Sequence, residues 1–441
     1  MKNWMIKMRK TYFISLFLLL ASCTVAQAQE RLTLQDAIAR ALEHNFDIRI
    51  ADIAAQQADA NNTIGNAGML PAVNAAGSYS GSSTNTHQEL SSGGVQDRHD
   101  ARATALNGSI NLNWTLFDGG RMFLVKRQLD ELEKLGDLNL KAQVQTTVSQ
   151  VIQAYAQAVW QQQQIIAIDT ALSLAYVRME LSRAKFETGA SPKTDFLQAR
   201  VDFNARKADS LNQMTTLINS FGNLNVLMGT DAEIVWIVDD SLEADMALEP
   251  TDKERLKDIN FSLAAARSNV EVSKLNARIE RTYMLPTFGV SGAYNYTRTT
   301  SQTGFALFTR SYGPTGSANL NIPIFQGGNL RRQYRVASLQ AFRDELAYEK
   351  QETDFGRQYR TAWSNYHVSS EAYKLEQENI RYARENLDIQ KARFRVGVAT
   401  TLEARQAESD YVTALVRLYT AAYNLKVNET TVLQLENALV K

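Results

Sequence analysis

The residues best suited to chemistry in this chain are few and do not converge. Its four histidines are scattered, two of them (His87 and His99) in one polar segment, and no metal-ligand or triad spacing links them to acids or nucleophiles. Two double glycines, Gly119–Gly120 and Gly327–Gly328, raise the idea of a phosphate-cradling loop. No Gly-Lys-Ser/Thr follows either pair, so that reading falls. Cys23 is the only cysteine, which excludes a disulfide within one chain. Asp195 and Glu403 stand 208 residues apart at matched positions after a turn, where the helix dipole favours an acid. These residues supply no catalytic constellation and call for no cofactor or metal, so the sequence predicts a protein that is not an enzyme.

The elements that hold these residues begin with an export signal. Lys2, Lys7, Arg9 and Lys10 precede the apolar run TYFISLFLLLA (11–21), which is too short to span a bilayer as a helix. Two cleavage patterns compete. AQA at 26–28 gives a signal peptide over 1–28, whereas LASC at 20–23 resembles a lipobox and would leave Cys23 acylated as the first residue. Beyond the signal no stretch approaches the ~20 apolar residues of a spanning helix, so any passage through a membrane must use a β-barrel. Lys+Arg and Asp+Glu both count 47, which gives no basic footprint for nucleic acid.

The rest of the chain is written twice. NFDIRIADIAAQQADANNTIGNAGMLP (45–71) aligns without a gap to NFSLAAARSNVEVSKLNARIERTYMLP (260–286), and WTLFDGGR (114–121) pairs with IPIFQGGN (322–329). The predicted first repeat covers 33–228, the second 252–441, and 229–251 forms an equatorial connection containing a short strand at EIVWIV. Each repeat reads as helix, strand, loop, strand, long helix, turn, helix. Entering helices are expected over 33–68 and 252–283, and returning helices over 193–228 and 400–436. Between Arg121 and Thr188, and again between Asn329 and Val396, there is no proline and a single glycine. Helices over about 120–188 and 328–396 would each be ~100 Å long, far beyond the ordinary globular range. Ala407, Tyr411, Ala414, Leu418, Ala421 and Leu425 recur at alternating spacings of four and three, the seam of a coiled coil.

Between the helices lie hairpins, with strands predicted at about 72–85 and 101–117, then 287–300 and 309–325. Leu106, Ile110, Leu112 and Trp114 alternate with Asn107, Ser109, Asn111 and Asn113, and the second copy opposes Leu320 and Ile322 to Asn319 and Asn321. A half-buried soluble sheet would alternate too. Against it stand a polar face of Asn, Ser and Thr with almost no charge, aromatic residues toward strand ends (Trp114, Phe117, Phe288, Phe325) and the export signal, which together match an outer-membrane pattern. Four strands cannot close alone, and an open edge cannot lie in lipid. Two chains would give eight strands filled by side chains; three give twelve and a lumen. The double glycines then mark the turn from strand into long helix.

Through the duplication, the MLP before each first strand, LFDGG and IFQGG after each second strand, and FETGASPKTDFLQAR and FRVGVATTLEARQAE at the matched turns, residues 30–441 resemble the TolC-type outer-membrane efflux protein family. The resemblance implies a mainly α fold with transmembrane β. In it a duplicated protomer contributes four strands to a shared 12-stranded trimeric β-barrel, and long helices to a periplasmic α-helical barrel. It implies a bacterial outer-membrane location, a homotrimer in outer-membrane lipid, a periplasmic adaptor (membrane fusion) protein and an inner-membrane transporter of RND or ABC type. By the same resemblance the helix tips at Phe186, Gly189 and Pro192, and at Phe394 and Gly397, meet the adaptor, and Asp195 and Glu403 narrow the periplasmic entrance. Phe394, Ala399 and Gln406 depart from relatives that carry a tyrosine, an arginine and a second acid there. The expected function is passive conduction of substrates, small-molecule efflux ahead of type I protein secretion. A soluble exported coiled-coil scaffold is the alternative of a different class.

Overall fold

The computed structural model describes residues 31–89, 91, 93–238, 241–303 and 306–440. The export signal over 1–28 and Cys23 lie outside these residues. Two compact units share the chain: one holds the described residues before Ile50 with Gln143–Asp252 and Arg357 onward, the other Ile50–Ala142 and Lys253–Gly356.

Both repeats follow one order. The first runs β1 (Arg31–Leu32), α1 (Leu34–His44), α2 (Phe46–Asn61), β2 (Ala72–Glu89), β3 (Val95–Phe117), α3 (Arg121–Glu187) and α4 (Lys193–Met228). After β4 (Ile237–Val238) come α5 (Lys253–Ile259), α6 (Phe261–Thr282), β5 (Thr287–Ser301), β6 (Phe308–Asn321), α7 (Asn329–Arg395) and α8 (Thr401–Leu435). The two long helices have 67 residues each.

The entering helix of each repeat is two helices, not the single one its periodicity predicts. Asn45 ends α1 with extended backbone (φ −61°, ψ 130°), and its side-chain oxygen accepts from the amides of Asp47 at 2.8 Å and Ile48 at 3.1 Å, which starts α2. Its repeat partner Asn260 does the same for α6, accepting from Leu263 N at 3.0 Å. A side chain that caps the next helix replaces an intrahelical bond at little cost, so the apolar stripe continues while the helix breaks. The first repeat's helix also stops at Asn61, short of 68.

The unit containing the α3–α4 turn has a core where Ala37 and Ala41 of α1, Val151 and Tyr155 of α3, Phe221 and Leu224 of α4, and Trp236 are buried together. The parallel pair β1–β4 closes over it, with Tyr155 donating to Leu32 O at 3.1 Å and Trp236 to Asn225 Oδ1 at 2.5 Å. The predicted α8 seam packs as its spacing implies: Ala407, Ala414, Ala421 and Leu425 are buried. Residues 241–252 are pinned to α7 and α8. Tyr366 donates to Asp245 O at 2.8 Å, Thr251 N donates to Tyr359 at 3.0 Å, and Asp245 N donates to Glu429 at 3.2 Å. Burial, then the hydrogen bond to Glu436, pushes the Tyr359 phenol up to about 12, so it stays a donor at any physiological pH.

The second unit carries an antiparallel sheet in the order β2-β3-β5-β6. The first hairpin pairs beyond its predicted ends, through a register shift between Thr84 and Thr86, up to Glu89 and Val95. At the other end β6 stops at Asn321 rather than 325, because Thr287↔Asn321 is the last pair that β5 offers. Residues 322–325 keep the alternating pattern but have no neighbouring strand among the described residues, and Ile324 is 93% exposed.

Candidate functional site

The sheet leaves its apolar face uncovered. On β3, Leu106, Ile110, Leu112, Trp114 and Leu116 are exposed, as are Val73 and Tyr79 on β2, Tyr294 on β5, and Tyr312 and Leu320 on β6. The opposite face is half-buried at Asn107, Ser109 and Asn111 on β3 and at Ser291 and Asn295 on β5, and exposed on the outer strands β2 and β6. A sheet in water packs its apolar face on a core; among the described residues nothing covers this one, and lipid is the solvent that would stabilise it. The polar face satisfies itself without charge: Asn107 donates to Ser78 at 3.3 Å, Asn111 to Ser109 at 2.9 Å, Asn295 to Thr315 at 3.0 Å, and Ser291 meets Ser317 at 2.7 Å. Such a wall offers hydrogen bonds to water and no fixed charge to passing solutes. No helix among the described residues is long and apolar enough to cross a membrane.

Strand gives way to long helix at the double glycines, all four with positive φ (74° and 82° at Gly119 and Gly120, 60° and 75° at Gly327 and Gly328). That conformation strains any residue with a Cβ, and at Gly119 the Cβ would also lie 2.7 Å from Leu285 Cβ. Asp118 adds a cap that Gln326 in the second copy lacks, accepting from Met122 N at 3.1 Å and pairing with Arg121 at 3.3 Å.

The two tip turns have the same construction. Gly189 (φ 75°) and Gly397 (φ 78°) close α3 and α7, and the residue after each donates back into the last helical turn, Ala190 N to Lys185 O at 2.8 Å and Val398 N to Arg393 O at 2.9 Å. Phe394 is buried against Ala399 and Ala404, under the Lys185 ammonium 3.9 Å from its ring; Phe186 is partly exposed. The helices that follow start differently. Pro192 precedes α4 without a side-chain cap, whereas Thr400 and Glu403 form a reciprocal capping box on α8. The Glu403 carboxylate accepts from Thr400 N at 2.7 Å and from its hydroxyl at 2.8 Å, and these bonds hold it below the ordinary carboxylate range. Asp195 instead reaches across to the other turn, where Thr401 Oγ1 lies 3.4 Å away. The structure thus brings Asp195 to the second turn and ties Glu403 into its own helix start.

One group of charges behind these tips has no local sequence signature. Arg178 of α3 is 6% exposed and bridges Asp202 of α4 at 3.0 Å and Glu408 of α8 at 2.5 Å, with Arg405 3.4 Å from Asp202. Desolvation raises the Glu408 pKa more than Arg178 lowers it. Its one trace in the sequence is a break in the repeat, since the position matching Arg178 is Asn386.

A family model described as "Outer membrane efflux protein" matches residues 37–230 and 254–438, one segment on each repeat. The chain belongs to the outer membrane efflux protein family. Outer membrane protein TolC of Vibrio cholerae is 25% identical over 354 residues, covering 78% of each chain. Outer membrane efflux protein BepC of Brucella suis is 24% identical over 422 residues, 92% of this chain and 86% of that one. Among solved structures, the Campylobacter jejuni CmeC outer membrane channel superposes with a TM-score of 0.78 at 18% identity, over 92% of this chain and 85% of the other. Membership makes this chain an outer-membrane export channel and not an enzyme.

Proposed function

We propose that three copies of this chain form the outer-membrane conduit of a tripartite export system. The reading is supported first by the uncovered apolar face of a four-stranded sheet whose edge strands, β2 and β6, have no further strand partner among the described residues. Three copies close those edges into twelve strands with a polar lumen, and their long helices continue the passage across the periplasm. The conduit has no energy source of its own. A periplasmic adaptor docks at the tips around Phe186, Gly189, Pro192, Phe394 and Gly397, and an inner-membrane pump of RND or ABC type drives the cargo. Asp195 and Glu403 place negative charge at the entrance. Small-molecule efflux is favoured over protein secretion by the description of the family that the chain belongs to. Cells lacking the chain should retain a fluorescent efflux dye and release it again on complementation. Unchanged dye export, with a polypeptide missing from the culture medium, would make the cargo a secreted protein.

A further inference from the structure

On the outward face of the second hairpin, Arg298 of β5 and Arg310 of β6 are directly opposed across the strands. Like charges in that register repel, and nothing in the hairpin relieves them, since residues 287–321 contain no Asp or Glu. Neither arginine has an ion-pair partner among the described residues, and both are exposed. Phe308 stands in the next pair on the same face, opposite Thr300, its ring 5.5 Å from one guanidinium and 5.7 Å from the other, so both cations share one aromatic neighbour.

Their height along the strand is informative. Arg298 lies ten residues beyond Phe288, about 33 Å at the usual strand rise. At a barrel tilt near 40° that is roughly 25 Å of height, the thickness of an outer-membrane apolar band. Tyr296 and Tyr312, themselves a cross-strand pair on the same face, sit one side-chain position below the arginines, where an aromatic girdle belongs. The hairpin loop, at the end of the strands away from the double glycines, puts this pair at the outer leaflet.

We infer that Arg298, Arg310 and Phe308 form a lipid site on the barrel exterior that takes the phosphate of an outer-leaflet glycolipid, the acyl chains lying along Tyr296, Tyr312 and the apolar band. Two converging guanidiniums match a phosphate by charge and by paired N–H donors, and the anion removes the repulsion between them. The inference rests on the membrane reading of the sheet.

The test is native mass spectrometry of the assembled full chain in neutral detergent, with three probes: bisphosphorylated lipid A, its dephosphorylated form, and phosphatidylglycerol. The wild type should retain bisphosphorylated lipid A and release the dephosphorylated form. Arg298→Gln with Arg310→Gln should weaken retention about thirtyfold, for two cations lost near an anionic surface. Arg298→Lys with Arg310→Lys keeps the charge but loses the paired N–H donors, so its retention should fall between wild type and the Gln variant. The Gln variant removes a repulsion, so its thermal midpoint without lipid should be no lower than wild type, which separates lost binding from lost folding. Equal retention by wild type and Gln variant, or of the two lipid A forms, overturns the site. Phosphatidylglycerol retained in preference, and lost with the Gln variant, overturns the glycolipid assignment. A soluble monomer recovered in place of the particle would instead overturn the membrane reading.

Discussion

The acids at the two turns share a repeat position but not an environment, and this separates their behaviour. Glu403 is held by Thr400, backbone bond first, so its folded pKa lies below the ordinary value of 4.5. A depressed carboxylate keeps its charge until the pH falls through that lower value. If it lines the entrance as proposed, the cation preference it confers persists in mildly acidic buffer. Thr400→Ala should move the loss of that preference to higher pH, read from reversal potentials in planar bilayers, and Glu403→Gln should reduce the preference at all pH values above the transition. Selectivity unchanged by Glu403→Gln would remove Glu403 from the constriction. Arg178 makes a different kind of prediction. Arg178→Ala leaves Asp202 and Glu408 as half-desolvated acids without their shared cation, which should cost about 3 kcal/mol of packing between α3, α4 and α8. Because Glu408 already has a raised pKa, its ionised form is the disfavoured one. The deficit should therefore grow as pH rises above the ordinary carboxylate range and shrink below it, measured as thermal midpoints by circular dichroism at pH 5 and pH 7.5. Apart from the break in the repeat at Arg178, this network was not legible in the sequence, because its partners lie on three helices 24 and 230 residues apart with no local spacing to betray them.

At the scale of the element, the sheet's two faces carry different constraints. Leu112→Arg places a charge in the apolar band and should cost about 2–4 kcal/mol, enough to empty the outer-membrane fraction of folded protein, while Asn111→Asp on the other face should assemble normally. The readout is heat-modifiable mobility of membrane fractions, and equal tolerance at the two positions would contradict the outward assignment. These elements were largely legible because their signals are local and repeated. A period of two marks the strands, and uncharged Asn, Ser and Thr on one face distinguish a barrel wall from a soluble sheet. Long runs without proline mark α3 and α7, and glycines mark their ends. What failed was also physical. Asn45 and Asn260 break helices whose apolar stripe continues, and periodicity cannot register a cap that substitutes for a backbone bond. IPIF at 322–325 alternates like a strand yet has no partner among the described residues, since pairing is a property of two segments and the pattern a property of one.

For the whole molecule, the decisive feature is an unfinished sheet. An apolar outward face requires lipid, lipid forbids the open edges of β2 and β6, and one chain supplies only four strands. Copies must therefore pair edge to edge, and three give the smallest ring that leaves a lumen. The most direct measurement is the number of chains in the particle extracted from outer membranes, by sedimentation in density-matched detergent. Three chains per particle, recovered from the membrane fraction, are expected. A monomer recovered from the soluble fraction would contradict this, returning the hairpins to a soluble sheet and leaving the long helices as an exported coiled-coil scaffold.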